Sequence, residues 1–188
     1  MIESDSCKFN IIDELKNLSL DDVKAIQKAE SLPFAVATVN VADDLNISNI
    51  LRSAVVFGAK EFILVEKKRF DRRDCVGAQN YIQINQQEDS LEALNYMIEN
   101  YEPMFIEQGG EDLYCQDFYD WDKPPCLIFG SESKGLPREY LDLAPHYKIP
   151  IISIAQVGVL RSLNVTAAAA IAMWKVAMDL RPMPRSYK

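Results

Sequence analysis

Apolar and polar positions change period several times along the chain, and each change marks an element. From Ser19 to Glu30 the spacing is helical. Ser19 stands where a side-chain oxygen can cap the first turn, and Asp21 and Asp22 follow at the positive end of the helix dipole. Pro33 is expected to end this helix. Phe34 to Asn40 is a short apolar run suited to a buried strand, and Val41 to Asn46 is a polar turn able to cap what comes next. Ile47 to Phe57 puts Ile47, Ile50, Leu51, Ala54 and Val55 on one helical face, with Gly58 as the stop, and Glu61 to Glu66 reads as a strand. Strand, helix, strand in that order predicts a βαβ unit and therefore a parallel sheet with helices on its faces.

The second half continues the alternation. Tyr81 to Ile84 is a short strand or edge segment, and a helix runs from Asp89 or Ser90 to about Asn100, with Glu92 placed for a capping box. Pro103 to Gln108 and Cys126 to Phe129 are strand candidates, each followed by glycine; the stretch from Glu111 to Pro125 between them is acidic, aromatic and loop-like. Pro137 opens a short helix where its missing N–H costs nothing. Residues 147–174 then concentrate the chemistry: Tyr147 to Ile152 reads as a buried strand, Ala155 to Ser162 as a loop containing Gly158, and a small-residue helix follows that Ser162 or Asn164 can cap. Strand, loop and helix N-terminus in that order form a common ligand-binding corner of α/β proteins.

Composition narrows the classes. With 188 residues, 48% hydrophobic and 26% charged, the expectation is one soluble domain, and no apolar run is long enough to span a bilayer. The opening MIESDS does not read as a signal peptide. Cys7, Cys75, Cys115 and Cys126 lack any CxxC spacing, which speaks against a zinc site or a disulfide framework and for a reducing cytoplasm. A net charge of -8 is unfavourable for phosphate binding, so an RNA partner would need local basic groups. The dense cluster is Lys67, Lys68, Arg69, Arg72 and Arg73; Arg181, Arg185 and Lys188 form a looser one. On charge alone both read as a solvated loop and tail.

Known chemical motifs are mostly excluded. GSESKGL lacks the Lys-Ser/Thr pair that a phosphate loop needs after its second glycine, no GxGxxG is present, and the only histidine is His146. A hydrolase built on His146 is formally possible, although a lone histidine before a strand is more often structural. Three segments combine glycine, polar residues and element ends: Asn46 to Arg52, Gly130 to Leu136, and Ile149 to Asn164. An arginine within an apolar helix, as Arg52 is, either snorkels outward or meets an anion; singly, Glu132 reads as a loop acid and Asn164 as a helix cap. In a parallel sheet such ends come to one side.

Taken together, Asn46 and Arg52 followed by Ser53-Ala54 and Phe57-Gly58, then LIFGSESKGLP, then an Ile-Pro segment and RSLNV before the small-residue helix closely resemble the three motifs of the SpoU (TrmH-like) RNA ribose 2′-O-methyltransferases of the SPOUT superfamily. The resemblance runs from about Pro33 to Trp174. Within the family, VGVLRSLNV and FIEQGG look most like enzymes that methylate the D-loop guanosine of tRNA.

The resemblance implies an α/β fold with a parallel sheet flanked by helices and a C-terminal trefoil knot, residues 33–188 forming the methyltransferase domain and residues 1–32 a helical extension. It implies S-adenosyl-L-methionine (AdoMet) as cofactor, no metal, RNA as substrate with tRNA first and rRNA next, and a cytoplasmic homodimer with the site at the subunit interface. Arg52 would activate the ribose hydroxyl, with Asn46, Glu132 and Asn164 organising the pocket. Gly130, an isoleucine of the third motif, Ser162 and Leu163 would hold the adenosine part. Counting from Gly130 selects Ile149 with Pro150, whereas counting back from Ser162 selects Ile154 with Ala155, because this loop is longer than the family's. Asp44 and Ser48 also stand where the family usually has proline and glycine. The alternative function is a non-catalytic RNA-binding protein that keeps the fold.

Overall fold

The computed structural model describes residues 10–118 and 121–181. Cys7, Arg185 and Lys188 lie outside them. The chain builds α1 (Leu20–Glu30), β1 (Leu32–Val39), α2 (Asp44–Val56), β2 (Ala59–Val65), β3 (Gln83–Gln87), α3 (Ser90–Asn100), β4 (Glu102–Asp112), β5 (Pro125–Phe129), α4 (Arg138–Tyr147), β6 (Ile151–Ser153) and α5 (Val165–Leu180). The strands form a six-stranded sheet in the order β3-β2-β1-β5-β4-β6, and every pairing is parallel.

A parallel sheet buried on both faces needs apolar side chains pointing both ways, and the central strands supply them. Phe34 and Val36 of β1, with Phe62 and Leu64 of β2, join Ile47, Ile50, Leu51 and Ala54 of α2 and Ala169, Ala172, Met173 and Val176 of α5. Ala35, Ala37 and Val39, with Ile63 and Val65, face the other way onto Ala93, Leu94 and Met97 of α3 and Tyr140 and Ala144 of α4. The predicted caps hold: Ser19 Oγ accepts from Asp22 N–H at 3.1 Å, Asp89 from Glu92 N–H at 2.9 Å, and Asn164 caps α5 by accepting from Thr166 N–H at 2.8 Å. Ser162 does not cap α5. On α1, Val23 is buried and Gln27 Nε2 donates to Val55 O at 3.4 Å at the end of α2.

Four sequence expectations change. α1 stops at Glu30 as expected, but Pro33 lies inside β1, at a break in the register between Leu32 and Ala35, where proline is tolerated. The run Tyr147 to Ile152 is not one strand: α4 continues through Pro145 to Tyr147, Lys148 turns the chain in a left-handed conformation (φ 55°), and β6 begins only at Ile151. β3 lies at Gln83–Gln87, two residues beyond the expected start, where its polar side chains suit a sheet edge. β4 runs on to Asp112, and the loop-like region after it buries Leu113 and Phe118, with Phe118 stacked on Trp121 at 5.7 Å.

The extension of β4 is used by β6. Ile151 and Ile152 pair with Phe105 and Ile106, yet Ile152 and Ser153 also pair with Glu111 and Asp112. Gly110 lies so close that a Cβ there would sit 2.1 Å from Ile151 O.

At the amino end of β2, Glu61 is buried and fully partnered. Its carboxylate accepts from Tyr101 Oη at 2.5 Å, from Tyr96 Oη at 3.1 Å, from Gln83 Nε2 at 3.1 Å and from Asn85 Nδ2 at 3.2 Å. These donors remove the cost of burying a charge. Burial and the facing carboxylate push the Tyr101 phenol far above its usual range, so it stays a donor.

Candidate active site

The middle of β4 and the carboxyl ends of β5 and β6 surround a cavity of about 400 Å³, within the size range of small-molecule sites. Gly130 to Gly135 form one wall, Ile154, Ser162, Leu163 and Val165 another, and Glu107 and Gln108 in the middle of β4 a third. The 130–136 loop is a hairpin: Ser131 N–H donates to Gly135 O at 3.0 Å and Gly135 N–H to Ser131 O at 2.8 Å. Gly130 permits it, because a Cβ there would stand 2.2 Å from Gly135 C.

Asn46, Glu132 and Asn164, 118 residues apart in sequence from first to last, form one hydrogen-bonded cluster that reaches this cavity through Glu132. Asn46 projects from the first turn of α2 and is buried; its Nδ2 donates to Glu132 Oε1. Asn164 spends its side-chain oxygen on capping α5, leaving its Nδ2 to donate to Asn46 Oδ1 at 3.4 Å. The amides are thereby oriented, and Glu132, which lines the cavity, turns a carboxylate toward whatever enters. Such an arrangement can accept hydrogen bonds from a hydroxyl or attract a cation.

Arg52 stands apart from this cluster. It is exposed, makes no hydrogen bond or ion pair with the described residues, and does not line the cavity. It lies six residues beyond Asn46 on α2, which is about 9 Å along the axis and well around the helix. Gly130, Ile154, Ser162 and Leu163 do line the cavity. Ile149 does not: it is buried between the sheet, α3 and α4, whereas Ile154 packs on the α2/α5 side. The register counted back from Ser162 therefore gives the residue at the cavity.

Sequence reasoning missed Glu107 and Gln108. Glu107 accepts from Gln108 N–H at 3.0 Å and from Leu136 N–H at 3.2 Å, tying the 130–136 loop to β4. Gln108 Nε2 donates to Arg161 O at 2.7 Å and so ties down the 154–164 loop. Two polar residues closing an apolar run, directly before paired glycines, were the available signal. His146 is exposed at the end of α4 in edge contact with Tyr147; among the described residues nothing hydrogen-bonds to it, and it lies off the cavity.

The altered first motif is built into the packing. Ser48 is buried and its Oγ donates to Asp71 O at 2.8 Å, while Asp44 accepts from Asp71 N–H at 2.8 Å and pairs with Lys67 at 2.7 Å. The Arg73 guanidinium beside Asp71 holds that carboxyl down to about 2.

A parallel α/β sheet with its polar cluster and cavity at the strand carboxyl ends defines a ligand-binding α/β domain. Residues 33–174 match the model of the SpoU rRNA Methylase family, and the chain belongs to that family. An uncharacterized tRNA/rRNA methyltransferase of Mycolicibacterium smegmatis is 25% identical over 168 residues, covering 86% of this chain and 52% of that protein. A Bacillus subtilis protein named for the TrmH family of tRNA/rRNA methyltransferases is 25% identical over 173 residues, covering 87% of this chain and 66% of the other. The chain thus spans about half the length of the first curated relatives it matches. Among solved structures, an AdoMet-bound rRNA methyltransferase from Sinorhizobium meliloti superposes with a TM-score of 0.66 at 25% identity, covering 82% of this chain and 60% of that one. Among the described residues no helix is long and apolar enough to cross a membrane.

Proposed function

We propose that this protein is an AdoMet-dependent RNA 2′-O-ribose methyltransferase acting on tRNA, with the D-loop guanosine as its first candidate target. One observation carries the reading: Asn46, Glu132 and Asn164, drawn from three separate motifs, are joined by hydrogen bonds, and Glu132 lines the cavity. The cavity also suits the cofactor. Its volume is right for a nucleoside-sized ligand, Gly130 leaves backbone exposed where a Cβ would block the loop, and Ile154 and Leu163 offer apolar sides to an adenine. Gly130, Ile154, Ser162 and Leu163 hold the adenosine part in this reading, and Ile149 is set aside. The two loops are fixed in advance by Glu107 and Gln108, which reduces the ordering cost of binding.

AdoMet supplies a methyl group already activated on sulfur. The protein has then to hold the ribose oxygen in line with it and to stabilise that oxygen as its proton leaves. Arg52 does the second task electrostatically, and the hydroxyl proton is released to water as the thioether leaves. Asn46, Glu132 and Asn164 shape the pocket.

Two further parts of the reading concern architecture. The pairing of Ile152 with both Ile106 and Glu111 of β4, across a break in register, supports a chain threaded as a trefoil knot. We assign residues 33–188 to this domain and residues 1–32 to a helical extension. Outward-facing Ile171 and Trp174 on α5, with exposed Val157, Val159 and Leu160 beside the cavity, support a homodimer whose interface covers this face. Trp174→Glu should convert the dimer to monomer in sedimentation equilibrium. A variant that remains dimeric would place the interface elsewhere.

The activity is tested by incubating the protein with methyl-labelled AdoMet and unmodified tRNA, then digesting to nucleosides. Label is expected at ribose 2′-oxygens. Its absence there, in tRNA and in rRNA alike, would remove the enzymatic reading, and calorimetry with AdoMet would then test the alternative of an RNA-binding protein with a decayed cofactor site.

A further inference from the structure

A chain of net charge -8 can hold a polyanion only through local basic groups. We infer that Arg69 and Arg72, on the loop after β2, form a preorganised contact surface for the phosphate backbone of the RNA substrate, adjoining Arg52. This rests on the proposed RNA methyltransferase function.

Of the five cations at positions 67–73, the fold neutralises three. Lys67 pairs with Asp44 at 2.7 Å and donates to Ala42 O at 2.7 Å, Lys68 pairs with Glu88 at 3.3 Å, and Arg73 Nε donates to Asp71 at 2.8 Å. Arg69 and Arg72 are exposed, and their guanidiniums make no hydrogen bond or ion pair with the described residues. Arg72 instead lies over the Phe70 ring, with its guanidinium carbon 5.8 Å from the centroid. Of the nearby acids, Asp44, Asp71 and Glu88 are in those pairs, exposed Asp74 acts on Arg73, and exposed Glu66 precedes Lys67.

The loop carrying the two arginines is fixed. Phe70 is only 8% exposed and packs into the core against α2, and both backbone groups of Asp71 are bonded, its N–H to Asp44 and its carbonyl to Ser48. Asp44 and Ser48 are four residues apart on α2, and the next residue on that stripe is Arg52. The helix face that anchors the loop therefore presents Arg52 one turn further on. Three unpaired guanidiniums consequently border one side of α2, on a segment that loses little freedom when a phosphate docks. Guanidinium geometry suits phosphate oxygens, and the pairing of the other cations explains why total charge is a poor guide here.

The test is binding of an unmodified tRNA transcript, followed by fluorescence anisotropy across a range of salt. The Arg69→Ala/Arg72→Ala double variant should bind several-fold more weakly and lose about two from the slope of log affinity against log salt. Arg69→Lys/Arg72→Lys should recover most of that slope. Lys60→Ala, which removes an exposed charge at the amino end of β2, should leave it unchanged, excluding an effect of net charge. AdoMet affinity measured on each preparation reports that the cavity is intact. If wild-type protein methylates RNA while the double alanine variant keeps the full slope, this surface is wrong and the function stands. If wild-type protein neither binds nor methylates RNA, the function fails and the surface with it.

Discussion

Arg52→Ala should lower methyl transfer by at least about a hundredfold, the scale seen when a transition-state donor is removed, while AdoMet affinity stays close to that of the unaltered protein. The separation follows from position. Arg52 does not line the cavity that is proposed to hold the cofactor, so its loss leaves that wall untouched. Arg52→Lys should recover only part of the activity, because an ammonium keeps the charge without the fork of donors. The same geometry bears on which subunit Arg52 serves. Arg52 is exposed and off its own cavity, so in the proposed dimer it would act on the site of the partner protomer. Mixed dimers of Arg52→Ala with a cavity-blocked subunit distinguish the cases: action across the interface restores one working site, whereas action within a chain restores none. Equal losses of AdoMet binding and transfer in Arg52→Ala would refute the division of roles.

How far the sequence disclosed this arrangement depends on whether the signal was local. Caps and helix faces were legible because they rest on neighbouring residues: Ser19, Asp89 and Asn164 each bond an N–H two or three positions away. The βαβ start was legible for the same reason. The boundary at β6 was not, since Tyr147 to Ile152 has the composition of a strand and Pro145 argues against a helix continuing past it. Only the packing of Tyr140, Ala144 and Ile149 under the sheet shows why the chain stays helical and then turns at Lys148. Asn46, Glu132 and Asn164 were found through motif resemblance, but their hydrogen bonds join segments that no local rule connects. The burial of Glu61 was equally invisible, because its donors come from β3, α3 and the residue opening β4's approach, Tyr101.

Gly130→Ala should weaken AdoMet binding by about ten- to a hundredfold, taking the usual 1–3 kcal/mol for overpacking a close-fitted site at about 1.4 kcal/mol per tenfold. The added Cβ would lie 2.2 Å from Gly135 C, 2.3 Å from Leu136 N and 2.4 Å from Gly135 O, all backbone atoms that cannot swing aside. The hairpin has little slack to absorb the intrusion. Its two cross-bonds join Ser131 and Gly135, and Glu107 grips Leu136 N–H from β4. Gly135 is itself held at φ +70°, where a side chain would be strained and would meet Glu107 Oε2 at 2.3 Å. Relief must therefore come from opening the loop, which moves Glu132 away from Asn46 and widens the wall against the cofactor. Gly158→Ala provides the contrast, because nothing lies within 4 Å of a Cβ there, and it should leave affinity unchanged. Calorimetric titration of both variants reads the difference, with thermal unfolding run alongside to show that the sheet remains folded. Wild-type affinity in Gly130→Ala would mean that the cofactor does not rest on the 130–136 loop.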